Sequence, residues 1–206
     1  MTTKCKLKIL VTLAKTFTSM SFRVFYSWQS DSPKAFNWDF IGDCIKEAIK
    51  RLKKKYKDEK PDFIYDSDTK GVPGWPNIPE SVYGKIDLCD VIISDLTVIG
   101  SIPGDPPKPQ LNLNVIGELN YALAKIGESR IINVMNVYYG KPEEKDVIPF
   151  DFAQRRFPIQ YNLSEENRHE IDSIKEKLTV NLYNAIKDIF DSEHERRKKE
   201  LEPFET

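Results

Sequence analysis

The side chains with chemical reach gather behind three strand-like segments. "SWQSDSP" (Ser27–Pro33) follows the first, "DSDTKGVPGWPNIP" the second and "DLTVIGSIPGDPPKPQLNLN" the third. Together they supply carboxylates (Asp31, Asp66, Asp68, Asp95), hydroxyls (Ser27, Ser30, Thr97), amides (Gln29, Asn112, Asn114) and flat rings (Tyr26, Trp28). Both histidines, His169 and His194, fall in or beyond the last predicted helix, so no imidazole is expected among these stretches and neither a Ser-His-Asp triad nor a His-bearing metal site is indicated. The phosphate cradles GxxxxGK[ST] and GxGxxG do not occur. Carboxylates, amides, hydroxyls and aromatics suit cleavage at a sugar carbon, where a carboxylate faces an oxocarbenium-like centre.

One carboxylate has a definite place. In "LNLNVIGELNYALAKIG", Val115, Ile116, Leu119, Ala122, Leu123 and Ile126 form an apolar stripe at helical spacing, and Glu118 lies at its border near the helix N-terminus. Asn112 and Asn114 are capping residues, and the backbone dipole there favours an ionised carboxylate. Two readings of Glu118 stay open on spacing alone. It is either a charged group held at the strand ends or a solvated glutamate of a first turn near Lys125.

The elements that must position these residues follow from periodicity. Strands are expected at Phe22–Ser27, Asp62–Tyr65, Val91–Ser94, Arg130–Val137 and Pro158–Tyr161; helices at Phe36–Lys55, Ile78–Leu88, Val115–Ile126 and Glu165–Phe190. Between the third strand and the third helix runs a Pro-rich loop, "IPGDPPKPQ". Strands alternating with helices predict an α/β fold: an open parallel sheet of about five strands with helices on both faces. In such a sheet ligands bind at the carboxyl ends of the strands, which collects the polar stretches at one edge. The basic run Lys46–Lys57 reads as the solvated side of a helix whose inner face is Ile45, Ala48, Ile49, Leu52 and Tyr56. Along the closing helix, Ile171, Ile174, Leu178, Leu182, Ile186 and Ile189 predict a core-facing stripe.

A chain of 206 residues accommodates one well-cored domain with tails. Acidic and basic residues nearly cancel, for a net charge of −1, which argues against a mainly electrostatic grip on nucleic acid or an anionic membrane. Three dispersed cysteines, Cys5, Cys44 and Cys89, suggest a reducing, cytoplasmic compartment and no disulfide framework. Residues 1–19 carry an apolar run too short to span a bilayer, and the core is expected to occupy residues 20–190, with 191–206 a charged, fraying tail.

Several segments, in order, carry a resemblance: "FYSWQSD", "YDSDTKGVPGWPNI", "CDVIISDLT", "NLNVIGELNYALAKIG" and "IPFDFAQRRFPIQY". From Met20 to Tyr161 the chain resembles the bacterial Toll/interleukin-1 receptor (TIR)-like domains of anti-phage defence effectors. The resemblance implies a flavodoxin-like sheet and NAD+ cleavage with Glu118 as the catalytic residue. By the same resemblance Tyr26, Ser27, Trp28, Gln29, Ser30 and Asp31 line the nucleotide pocket, Trp28 or Tyr26 stacking on a flat ring. Asp66 and Asp68 fall in a loop that moves or mediates assembly, Asp95 and Thr97 approach the ribose or phosphates, and Asn112, Asn114 and Tyr121 complete the substrate-binding set. Where the family reads Glu-Leu-Gly-Tyr-Ala, this chain has Asn120 in place of glycine, a change expected to crowd a neighbouring element.

The implied activity is that of an NAD+ glycohydrolase, forming ADP-ribose or a cyclised product, with NAD+ as substrate and no bound cofactor or metal. Two other readings remain: a nucleoside 2-deoxyribosyltransferase-like enzyme with a glutamate nucleophile, for which Asp95 or Asp31 would have to supply the acid, and a non-catalytic nucleotide-binding or assembly module. An enzyme that destroys NAD+ needs restraint, so a separate sensor or signal-producing partner and homo-oligomerisation on activation are expected. A chain beginning at Met20 is expected to retain the fold, as judged by circular dichroism and thermal melting; loss of the cooperative transition would place residues 1–19 within the core.

Overall fold

The computed structural model describes residues 21–67 and 77–201. Its strands are β1 (Ser21–Ser27), β2 (Asp62–Asp66), β3 (Val91–Asp95), β4 (Gly100–Ile102), β5 (Lys108–Gln110), β6 (Ile131–Asn136) and β7 (Ile159–Tyr161). The helices are α1 (Trp38–Lys55), α2 (Ile78–Leu88), α3 (Leu113–Lys125), the short α4 (Phe150–Ala153) and α5 (Ile171–Leu201). Five strands form one sheet in the order β2-β1-β3-β6-β7, every pairing parallel. This is the flavodoxin-like order, in which the chain reverses direction across the sheet between β1 and β3.

Parallel strands must be covered on both faces, and the sequence supplies two apolar sets. Phe22, Val24 and Tyr26 of β1, Val91 and Ile93 of β3, and Ile132 and Val134 of β6 point to one side, where α1 and α5 pack. The inner face expected for the basic helix, Ile45, Ala48, Ile49, Leu52 and Tyr56, is buried there. From α5 come Leu178, Leu182, Ile186 and Phe190, with Ile171, Ile174 and Ile189 packed at the margin. On the other side Phe25 and Ile92 meet Ile86 of α2 and Ala122 of α3, while Leu96 and Met135 meet Val115 and Leu119 of α3.

The elements depart from expectation in three places. The Pro-rich loop contains an antiparallel hairpin, β4 paired with β5, Gly100 opposite Gln110. Helix α3 begins two residues before Val115, because Asn112 caps it: the Asn112 side-chain oxygen accepts from the backbone N–H of Asn114 (2.9 Å) and Val115 (3.1 Å). Helix α5 does not stop at Phe190 and fray but continues to Leu201. Its charged end is tied to the rest of the domain, Arg197 donating to Asp90 and the nearly buried Glu193 lying 3.7 Å from Arg130.

Beyond β6 one buried side chain ties three segments together. The fully buried Asn136 donates through Nδ2 to Leu163 O (2.8 Å) and Asn37 Oδ1 (3.1 Å), and its Oδ1 accepts from Leu163 N (3.1 Å). It thereby joins β6, the segment after β7 and the residue that precedes α1. Asn136→Ala leaves the backbone N–H and carbonyl of Leu163 without these partners, while Asn37 Oδ1 keeps the Tyr161 hydroxyl. A loss of about 3 kcal/mol in unfolding free energy is expected, read as a lower urea midpoint at an unchanged slope.

Candidate functional site

At the carboxyl edge of the sheet a cleft of about 490 Å³ opens between the loop after β1 and the N-terminal turns of α2 and α3. Ser27, Trp28, Gln29 and Ser30 line it from the β1 side, Ser67 from the end of β2, and Asn112, Asn114, Gly117 and Glu118 from α3. Its apolar wall is Phe25, Ile78, Pro79, Val82, Tyr83 and Leu113. Ile78 and Leu113 are 61% and 76% exposed, large apolar side chains left at the cleft's mouth. The cleft thus stands beside the switch point, where the fold offers a crevice between diverging loops.

Glu118 sits in the second turn of α3, one residue before the buried Leu119 and three after the buried Val115. That roll directs it down towards the end of β1, where its Oε2 accepts a 2.5 Å hydrogen bond from the Ser27 hydroxyl. Burial pushes the Glu118 carboxyl above the ordinary glutamate range, and the Ser27 hydroxyl bond opposes that rise. The solvated-glutamate reading is therefore overturned: Glu118 is partly buried, and Lys125 lies instead 3.9 Å from Asp87. Asn120, expected to crowd a neighbouring element, is exposed.

The loop after β1 holds the cleft's shape. Gln29 is buried with both ends of its amide engaged: its oxygen accepts from Asp31 N (2.6 Å) and Ser32 N (3.1 Å), and its nitrogen donates to Ser32 Oγ (2.6 Å) and Asp95 Oδ2 (3.4 Å). The loop so folded presents Asp31, whose Oδ2 accepts from Asn112 Nδ2 at 2.6 Å. One carboxylate therefore ties the β1 loop to the cap of the helix that carries Glu118. Trp28 stacks on Trp38 at 3.9 Å and 4° between planes, and its indole N–H donates to the Ser67 carbonyl. Trp38 in turn lies under the Lys34 ammonium at 4.3 Å. One face of Trp28 is thereby covered and the indole is fixed at the rim.

Other expected site residues are committed to the fold or lie off the cleft. Tyr26 borders the cleft, but its side chain leaves β1 on the α1 face and is fully buried in the core, which leaves no ring face for a ligand to stack on. Ser27 is 1% exposed, with its hydroxyl committed to Glu118 rather than offered to a ligand. Asp95 and Thr97 do not reach the cleft; both are buried, Asp95 Oδ1 accepting from Thr97 N (3.0 Å) and Thr97 Oγ1 from Asn136 N (3.0 Å). Asp66 is paired with Lys85 at 2.8 Å, and Tyr121 donates to Asp87 at 2.9 Å, each off the cleft. Asp68 lies outside the described residues. Asp31 does not line the cleft and acts through Asn112.

The structure adds Ser67 and the first turns of α2, Ile78 to Tyr83. A signal for the latter is legible in retrospect: Asn77 before Ile78-Pro79 is a helix cap, its side chain accepting from Glu80 N at 3.4 Å, and helix starts line the carboxyl edge of such sheets. Among the described residues no group of three or more His, Cys, Asp or Glu is placed to hold a metal ion, and no helix is long and apolar enough to cross a membrane. No family model matches the chain, and no match is found among curated proteins or solved structures.

Asp95 yields a pH signature. Complete burial raises its carboxyl to about 6, against the bonds from Thr97 and Gln29. The folded protein then binds a proton at Asp95 that the unfolded chain, near 3.8, has released, so this residue's contribution falls as pH rises from about 4 to 6. Urea unfolding at stepped pH is expected to show Asp95→Asn gaining about 3 kcal/mol on the native protein across that window. A pH-independent difference would overturn the assignment.

Proposed function

We propose that the protein is an NAD+ glycohydrolase of the TIR-like kind, with Glu118 the reacting-centre carboxylate. The observation that carries this reading is the placement of Glu118: a partly buried carboxylate on the cleft wall at the switch point, held from below by a side chain of β1. Nicotinamide in NAD+ is a pyridinium. As the bond from the ribose carbon to the ring nitrogen breaks, its electron pair returns to the ring and nicotinamide leaves neutral, so no acid has to protonate it. Positive charge develops on the ribose, and a partly buried carboxylate beside it stabilises that charge. Water then adds to that carbon and gives up one proton, yielding ADP-ribose; closure by a group of the nucleotide itself would yield a cyclic product. Trp28 at the rim and the apolar wall around Tyr83 suit a flat ring.

The transferase reading needs an acid for an uncharged leaving base. Asp95 is buried on the opposite face of the sheet and Asp31 is engaged with Asn112, which weighs against it. On the non-catalytic reading Glu118 is structural, pinning α3 to the end of β1 through Ser27; its place on the cleft wall favours the catalytic reading. Control by a separate partner or by self-assembly, in a cytoplasmic defence setting, belongs to this proposal.

The test is NAD+ consumption by purified protein, dilute and crowded, beside Glu118→Gln and Glu118→Ala. Nicotinamide release is expected from the native protein and is expected to fall by about 100-fold or more in both variants with the fold intact by circular dichroism. Failure of dilute and assembled protein alike to release nicotinamide would overturn the reading.

A further inference from the structure

We infer that Ser27 is a positioning residue for Glu118: its hydroxyl fixes the carboxylate's rotamer and favours the ionised form over the protonated one, and it does not bind substrate. This deepens the proposed function and rests on Glu118 being the reacting carboxylate, but it has its own test. Four observations carry it. Ser27 is the last residue of β1, its backbone set by the parallel register with β3, Ser27 opposite Ser94. It is 1% exposed, so a ligand in the cleft has almost no access to it. A hydroxyl has one proton to donate, and that proton is spent on Glu118 Oε2 at 2.5 Å. No other hydrogen bond to the Glu118 side chain occurs among the described residues, Ser94 included, although it is buried on the same face one strand away.

The charged and titratable groups facing Glu118 from the packed elements are few. From α2 comes Tyr83, which lines the same cleft. Further along the α2–α3 seam, Asp87, Tyr121 and Lys125 satisfy one another. From β3, Asp95 lies on the far face of the sheet. Lys85 of α2 pairs with Asp66, and among the described residues the Ser27 hydroxyl is the group that counters the burial of Glu118. A carboxylate so held is ready for a cationic ring and a developing positive ribose, and one left free would take up a proton more readily and turn among rotamers.

The experiment measures the Glu118 carboxyl directly, by carbon NMR of protein labelled at glutamate, with the resonance assigned through Glu118→Gln. It is run on native protein, Ser27→Ala, Ser27→Thr and Ser94→Ala, each checked for folding by circular dichroism. The Glu118 titration is expected to move upward in Ser27→Ala, to return towards native in Ser27→Thr, and to stay in place in Ser94→Ala. In the NAD+ assay, Ser27→Ala is expected to lower kcat by about 10-fold or more with little change in KM, and to carry the acid limb of the pH profile upward with the titration. A Glu118 titration identical in native protein and Ser27→Ala would overturn the inference, as would a Ser27→Ala defect confined to KM. If the titration moves as described but native protein releases no nicotinamide, the proposed function fails and the coupling of Ser27 to Glu118 stands.

Discussion

Side chains on a strand alternate between faces, and at the end of β1 that rule separates two neighbours with opposite fates. Tyr26 goes to the α1 and α5 side and disappears into the core; Ser27 goes to the α2 and α3 side and meets Glu118. The same alternation on β3 sends Asp95 away from the cleft, although it stands at the same end of the sheet as Ser27. Because the five-stranded sheet is covered on both faces, a register slip by one would exchange the side chains matched to α1 and α5 with those matched to α2 and α3, and would carry Ser27 away from Glu118. A carboxylate that faces the cleft therefore has to come from a helix on the α2–α3 side, and the ridge of Val115, Leu119 and Ala122 sets how that helix is rolled.

The polar run after β1 is chiefly a scaffold. An amide buried as fully as Gln29 would cost stability if its groups were unpaired, and here all of them are used within the loop and against Asp95. The loop's rigidity passes through Asp31 to Asn112, and from that cap into α3. Ser27 reaches the same helix one turn further along. Two contacts, one at the cap and one at the glutamate, thus fix α3 against the strand end, and the cleft is what is left between them.

Much of this architecture is legible in the sequence, because it is local. The stripes Ile45–Tyr56 and Leu178–Ile186 reflect helical period alone, and Glu118 at the border of an apolar stripe marks itself as half-buried. What was not legible depends on partners distant in the chain. Whether Asp95 faces the cleft depends on the register of β3 against β1, which no local pattern encodes. The β4–β5 hairpin hides within prolines and glycines because its strands are three residues long and largely exposed, so they carry no apolar alternation. The end of α5 looks like a fraying tail until Asp90 and Arg130, from other segments, are seen to receive Arg197 and Glu193.

The electrostatics of Glu118 show why a strand hydroxyl is there at all. A carboxylate acts on a cationic centre more strongly where water is thin, since the effective dielectric is lower, but the same loss of water favours its protonated form. The dipole of α3 offers limited relief: its influence is concentrated in the first turn, the Asn112 side chain already takes the N–H groups of Asn114 and Val115, and Glu118 lies in the second turn. A lysine or arginine in contact would secure the charge, yet on the proposed function it would also cancel the field acting on a positive reaction centre. A neutral hydroxyl avoids that conflict. It stabilises the anion by a hydrogen bond, restricts its rotamers and leaves its net charge free to act across the cleft.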